Sequence, residues 1–110
     1  MEKTLDAILI DDDYLVQGAW ELSAIQKNKC IKLFQSPSQF FAQSKYIPHE
    51  TPIYIDSNLS HKLKGEFVAK EIHEQGFKNI YLTTGFSNHE LTLMPWIKGV
   101  LDKNPPWENE

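Results

Sequence analysis

AILIDDDYL, residues 7–15, carries four apolar residues straight into three consecutive carboxylates and then returns to apolar sequence. An unbroken apolar run of this kind reads as a buried parallel strand, which shows no alternation because both of its faces are covered. The strand is expected over Leu5 to Ile10. From Tyr14 to Gln26 apolar residues fall at Leu15, Ala19 and Leu22, with Val16 and Ile25 alongside. That is helical spacing, and Asp13 stands where an N-cap belongs. The acids therefore occupy a strand-to-helix turn. Three adjacent carboxylates raise one another's pKa and weaken a fold unless a cation sits among them.

The same alternation continues outward. Ile31 to Phe34 reads as a strand, and SPSQFFAQS (36–44) opens a helix with Ser and Pro at its first positions. Pro52 to Ile55 is a strand that ends on Asp56, followed by the polar loop SNLSHKLK (57–64). A helix from Gly65 to Gln75 puts Phe67, Val68 and Ile72 on one face and stops at Gly76. Asn79 to Thr83 is a fourth strand. Ser87 with Glu90 forms a capping box for a further helix that Pro95 ends, and Lys98 to Leu101 is a fifth strand leading into Lys103. Strands alternating with helices give an α/β fold, a doubly wound five-stranded parallel sheet joined by right-handed crossovers. Such sheets place their sites at the carboxyl ends of the strands. Asp11, Asp12, Asp56, Thr83, Thr84 and Lys103 all fall on that edge.

Composition narrows the function classes. The 110 residues, 41% of them hydrophobic, suit a single domain over 1–110, with 104–110 as its tail. The net charge is −4 and all eleven basic residues are lysines, so the forked arginine contacts used to read bases are absent and direct nucleic-acid binding is not expected. Cys30 is the single cysteine, which leaves no pair for a disulfide or a zinc knuckle. The apolar run before Asp11 is too short for a leader or a membrane span, so a cytoplasmic, non-membrane protein is expected. His49, His61, His73 and His89 lack metal-ligand spacing and read as surface residues. Trp20, Phe40, Phe41 and Phe67 read as packing residues, and no glycine-rich phosphate loop is present.

Oxygen-only donors around a cluster of acids suit Mg²⁺, which binds through one or two carboxylates while keeping waters and substrate phosphate. An aspartate becomes a nucleophile toward phosphorus when metal and ammonium offset its charge and that of the incoming phosphoryl oxygens. Asp56 is best placed for that role, with Lys103 pairing one phosphoryl oxygen and a threonine hydroxyl bonding another.

At these residues the chain resembles the receiver domain of two-component response regulators. ILIDDD (8–13) is similar to the family's acidic-pair strand, IYIDSNL (53–59) to its phosphoacceptor segment, IYLTTGF (80–86) to its hydroxyl-bearing strand end, and GVLDK (99–103) to its closing glycine-to-lysine stretch. The resemblance implies a flavodoxin-like strand order 2-1-3-4-5. It further implies that a histidine kinase or phosphotransfer protein donates phosphoryl to Asp56, that Asp12, Asp56 and the Asn58 backbone carbonyl bind Mg²⁺, and that Asp11 supports the pair. Thr84 takes the switch-hydroxyl role over Thr83 because the small Gly85 follows it, and Lys103 is the phosphoryl-pairing amine. Such a protein is a signalling domain that catalyses only its own phosphorylation and dephosphorylation, with a downstream protein partner the sequence does not name.

Several residues depart from the family pattern. The loop after Asp56 is one residue longer and lacks the family's proline, and Asn104 separates Lys103 from Pro105. Val100 stands where many receivers carry an inward-swinging aromatic. The family's fifth helix is missing, which would leave apolar surface on strands one and five for Trp107 or a second copy to cover, the latter as a homodimer. The rival reading is a receiver-like protein-binding module that no longer undergoes regulated phosphorylation.

Overall fold

The computed structural model describes residues 4–57, 59, 64–85 and 94–109. Five strands form one sheet: β1 (Ala7–Ile10), β2 (Ile31–Phe34), β3 (Ile53–Asp56), β4 (Ile80–Thr83) and β5 (Gly99–Leu101). Their spatial order is β2-β1-β3-β4-β5 and every pairing is parallel, as the alternating pattern predicts. The intervening helices are α1 (Tyr14–Lys27), α2 (Pro37–Gln43) and α3 (Gly65–Glu74). The helix expected between Ser87 and Pro95 falls largely outside the described residues, as do His61 and His89.

Local chemistry accounts for the element ends. The Asp13 carboxylate accepts from the Leu15 N–H and caps α1, while Asn28 in the left-handed conformation closes it. Ser36 caps α2 through the Gln39 N–H, with Pro37 in the first turn. Gly76 adopts φ +107 just beyond α3, a conformation that favours glycine.

The two faces of the sheet are unequal. On one, Ile8, Ile10, Ile53, Ile55, Ile80 and Leu82 form a continuous aliphatic layer under Phe40 of α2 and Val68, Ala69 and Ile72 of α3, with Phe77 between them. On the other, Ala7, Leu9 and Tyr54 pack against Trp20 and Ala24 of α1 and against Trp107. Phe67, expected on the packed face of α3, is 63% exposed, because Val68 and Ile72 already fill the space over the sheet.

α1 is rotated relative to the stripe that its apolar spacing suggests. Val16, Trp20 and Ala24 form the packed stripe, whereas Leu15 is 85%, Leu22 59% and Ile25 69% exposed. The helix is apolar on both sides, and the large indole of Trp20 decides which side packs inward.

No α-helix follows β5 among the described residues; a 3-10 turn, Pro106–Asn109, occupies that end of the chain. Of the alternatives for covering β1, the structure takes Trp107, which folds back and is buried against Trp20 with ring centroids 5.5 Å apart. Its indole N–H donates to Ser23 Oγ at 2.8 Å. β5 does remain at the surface, with Leu101 half-exposed. Trp107→Ala should lower unfolding free energy by about 3 kcal/mol, the usual cost of emptying a buried aromatic site. Leu22→Ser, on the outward side of α1, should stay within about 0.5 kcal/mol of wild type. Urea denaturation followed by far-UV circular dichroism measures both, and equal midpoints for the two variants would contradict this packing.

Candidate functional site

Parallel register carries three side chains into one row across the sheet. Ile10 pairs with Ile55, so the next step sets Asp11 beside Asp56. Asp56 pairs with Thr83, and Thr83 with Leu101. Because side chains alternate along a strand, Asp11, Asp56 and Thr83 lie on the same face as Leu9, Tyr54 and Tyr81, the face that α1 covers. The row is closed off from solvent, with Asp11 and Thr83 fully buried and Asp56 nearly so.

Burying two carboxylates side by side demands compensation. Lys103 supplies it from the segment after β5: Nζ lies 2.9 Å from Asp11 Oδ2 and 2.8 Å from Asp56 Oδ1. The other oxygen of Asp11 accepts the Asp13 N–H at 2.9 Å, so both of its oxygens are used. Gln17 reaches back from α1 to the Asp11 carbonyl at 2.8 Å and ties the turn to the helix. The three consecutive acids therefore divide their work: Asp11 is an inward pair for lysine, Asp12 lies half-buried at the rim, and Asp13 is the helix cap.

Two residues that position the site were not singled out by spacing alone. The Trp20 indole N–H donates to the Lys103 carbonyl at 2.9 Å, so α1 holds the backbone from which the ammonium projects. The signal for it was the alternative stripe Val16, Trp20, Ala24 at i, i+4, i+8. Gly65 opens α3 where that helix crosses the end of β3, and a Cβ there would run into the Asp56 carbonyl and come within 2.9 Å of Ser57 Cα. Only glycine allows the approach, and its N–H bonds the Ser57 carbonyl at 3.1 Å.

Carboxylate oxygens of Asp11, Asp12 and Asp56 all lie within 4.8 Å of one another, a group that can hold a metal ion. The all-oxygen donor set fits a hard divalent cation. Thr84 is buried just past β4, its N–H bonded to the Leu101 carbonyl at 2.9 Å. Asn58 lies outside the described residues. Among the described residues every peptide bond is trans, Asn104–Pro105 included. His49 and His73 are at the surface, as expected.

Burial pushes the Asp11 carboxyl above its ordinary 3.8, assisted by the Asp56 charge and opposed by the Asp13 N–H and Lys103. Burial also works against the Lys103 ammonium, but hydrogen bonds to Asp56 and Asp11 outweigh it and hold the pKa above 10.5. The two groups act on stability in different windows. The folded protein retains the Asp11 proton to higher pH than the unfolded chain, so Asp11 makes the fold less stable as pH rises from 3.8 through its folded value. Lys103 contributes stability that is complete below 10.5 and lost as pH climbs through its folded value. Asp11→Asn removes the buried charge, keeps one acceptor oxygen for the Asp13 N–H and gives up the one toward Lys103, which retains Asp56; it should raise the metal-free melting temperature at pH 7 while flattening the loss of stability above pH 4. Calorimetric melts across pH 4–8 test this; a lower melting temperature for Asp11→Asn at pH 7 would show that the ion pair outweighs the burial cost.

The sequence matches no protein-family model and no curated protein. Solved structures that share its fold include two of known description. The response regulator StyR superposes with a TM-score of 0.75 at 12% identity over 97% of this chain, which spans 55% of the StyR chain. FixJ-N superposes with a TM-score of 0.71 at 13% identity, covering 94% of this chain and 83% of that one. Within that fold the acids that follow β1 and end β3 and the lysine after β5 meet at the carboxyl edge of the sheet. The chain has the fold of a response regulator receiver domain.

Proposed function

We propose that the protein is a phosphoacceptor domain of a two-component system or phosphorelay, accepting phosphoryl on Asp56. One observation carries the reading: a single ammonium, Lys103 Nζ, bridges Asp11 and Asp56 within 3 Å at the carboxyl edge of the sheet, with Asp12 beside them. Structural ion pairs are ordinarily made at the surface with one partner. Here two buried acids share one cation in a recess where a third carboxylate waits.

Asp56 is the nucleophile in this reading. A carboxylate oxygen attacks phosphorus in line; the new P–O bond forms as the bond to the donor breaks, and the donor's imidazole nitrogen, or the acetate of acetyl phosphate, departs with the electron pair. Negative charge then grows on the phosphoryl oxygens, and Lys103 follows it. Asp11, Asp12, Asp56 and the Asn58 carbonyl would hold Mg²⁺, which supplies charge neutralisation for the transferring group. Thr84 donates its hydroxyl to a phosphoryl oxygen. No other catalysis is asked of the site than the domain's own phosphorylation and dephosphorylation.

The donor is a histidine kinase or a phosphotransfer protein. A cytoplasmic setting agrees with the fact that no helix among the described residues is long and apolar enough to cross a membrane. Support for a protein donor comes from α1, which begins at the rim of the site and turns the large apolar side chains of Tyr14, Leu15, Leu22 and Ile25 to solvent. Output differs from receivers with an aromatic switch, because Val100 is a branched aliphatic packed at the edge of the core.

Incubation with acetyl phosphate and Mg²⁺, read by intact-mass spectrometry, should add one phosphoryl group to wild type and none to Asp56→Asn. Omitting Mg²⁺ should abolish labelling. Lys103→Met should slow labelling at least tenfold, because the charge that follows the phosphoryl group is gone. An unlabelled wild type beside a labelled control receiver would put the protein-binding module ahead.

A further inference from the structure

Trp20 is fully buried in the middle of α1, against the rings of Tyr54 and Trp107, and its indole N–H donates to the Lys103 carbonyl at 2.9 Å. A buried indole needs an acceptor, and any carbonyl of the interior would satisfy it. The acceptor here belongs to the residue whose ammonium bridges Asp11 and Asp56. We propose that Trp20 is a positioning residue for phosphoryl transfer. Its indole fixes the Lys103 backbone, so that the ammonium passes from the resting carboxylates to the phosphoryl oxygens while the turn that carries it stays still.

The role rests on the phosphoacceptor reading and follows from how the lysine turn is restrained. β5 ends at Leu101, so Lys103 lies beyond the sheet. Asp102 and Asn104 are exposed and joined by an Asx turn, the Asn104 N–H donating to Asp102 Oδ1 at 3.0 Å. A bond in that setting exchanges with water and restrains weakly. Asn104 also keeps Pro105 one residue too far along for its ring to stiffen the backbone directly after the lysine. The lysine side chain is a flexible four-carbon stem, and its reach is only as well defined as the backbone it starts from. α1 supplies the buried restraint. One turn before Trp20, Gln17 holds the Asp11 carbonyl at 2.8 Å, and residues three apart lie on the same side of a helix. One rigid element thus sets the spacing between the turn that carries the acids and the turn that carries the amine. Misplacing a catalytic group by about 1 Å can slow a reaction on the order of a hundredfold, so loosening one tie of several has a smaller but measurable effect.

The test compares Trp20→Phe with Trp107→Phe, and repeats Trp20→Phe in a Lys103→Met background. Each change removes one indole from the same aromatic group, but only the first releases the Lys103 carbonyl. Labelling with acetyl phosphate and Mg²⁺ is followed by intact mass below every variant's melting temperature, which is read in parallel. Trp20→Phe should slow labelling about fivefold, the scale of one hydrogen bond. Trp107→Phe should also melt below wild type, yet label within about twofold of it. Between Lys103→Met and the double variant the rates should agree within about twofold, because a residue that acts through the lysine then has nothing left to position. Should Trp20→Phe not fold, Trp20→Tyr removes the same N–H and keeps more of the ring volume. Wild-type labelling by Trp20→Phe, equal slowing by Trp107→Phe, or equal slowing with and without Lys103 would overturn the positioning role while leaving phosphorylation of Asp56 in place. Failure of wild type itself to label would instead remove the phosphoacceptor reading and this role with it.

Discussion

Two carboxylates lie next to each other on neighbouring strand ends, sealed under a helix, and one lysine amine holds both. Asp11 and Asp56 are buried, and Lys103 Nζ sits within 3 Å of each. The arrangement depends on everything that delivers the amine. Lys103 comes from the segment after β5, with β3 and β4 lying between that strand and the one that leads to Asp11, and its backbone is held by the Trp20 indole from α1. Trp20 in turn packs between Tyr54 of β3 and Trp107 of the terminal turn. Charge compensation at the site and hydrophobic closure of one sheet face are therefore the same construction.

That linkage explains what covers this face of the sheet among the described residues. A sheet face left open would expose the side chains of β1 and β3. The indole of Trp107 fills the space, bonds Ser23, and is joined by Glu108, whose carboxylate accepts from the same serine at 3.3 Å. A short 3-10 turn suffices because one large aromatic covers area that several aliphatic residues would otherwise have to cover. The cost falls on β5, which lies at the edge with Leu101 half-exposed.

The resting site is tense in a chemical sense. Burial lifts the Asp11 pKa while Lys103 opposes it, and the Lys103 pKa rises because both acids hold its proton. A cation arriving at Asp11, Asp12 and Asp56 competes with the ammonium for the same oxygens. On the proposed function, metal binding and the position of Lys103 would be coupled through shared ligands, and phosphorylation of Asp56 would resolve the competition by giving the lysine a new partner.

The sequence by itself determined the order and kind of the elements, because buried parallel strands show as unbroken apolar runs and because Asp13, Ser36 and Gly76 mark helix ends through short-range chemistry. It also determined which acids and which lysine reach the carboxyl edge, since parallel strands point their ends the same way. The phase of α1 was not legible: the stripe Leu15, Ala19, Leu22 and the stripe Val16, Trp20, Ala24 are both apolar, and only packing against Tyr54 and Trp107 selects the second. The place of Trp107, the demand for glycine at residue 65 and the pairing of Lys103 with both acids were likewise decided by tertiary structure. So was the neighbour of Asp56 across the sheet: Thr83 pairs with it in register, and register is set by long-range pairing that local spacing cannot encode.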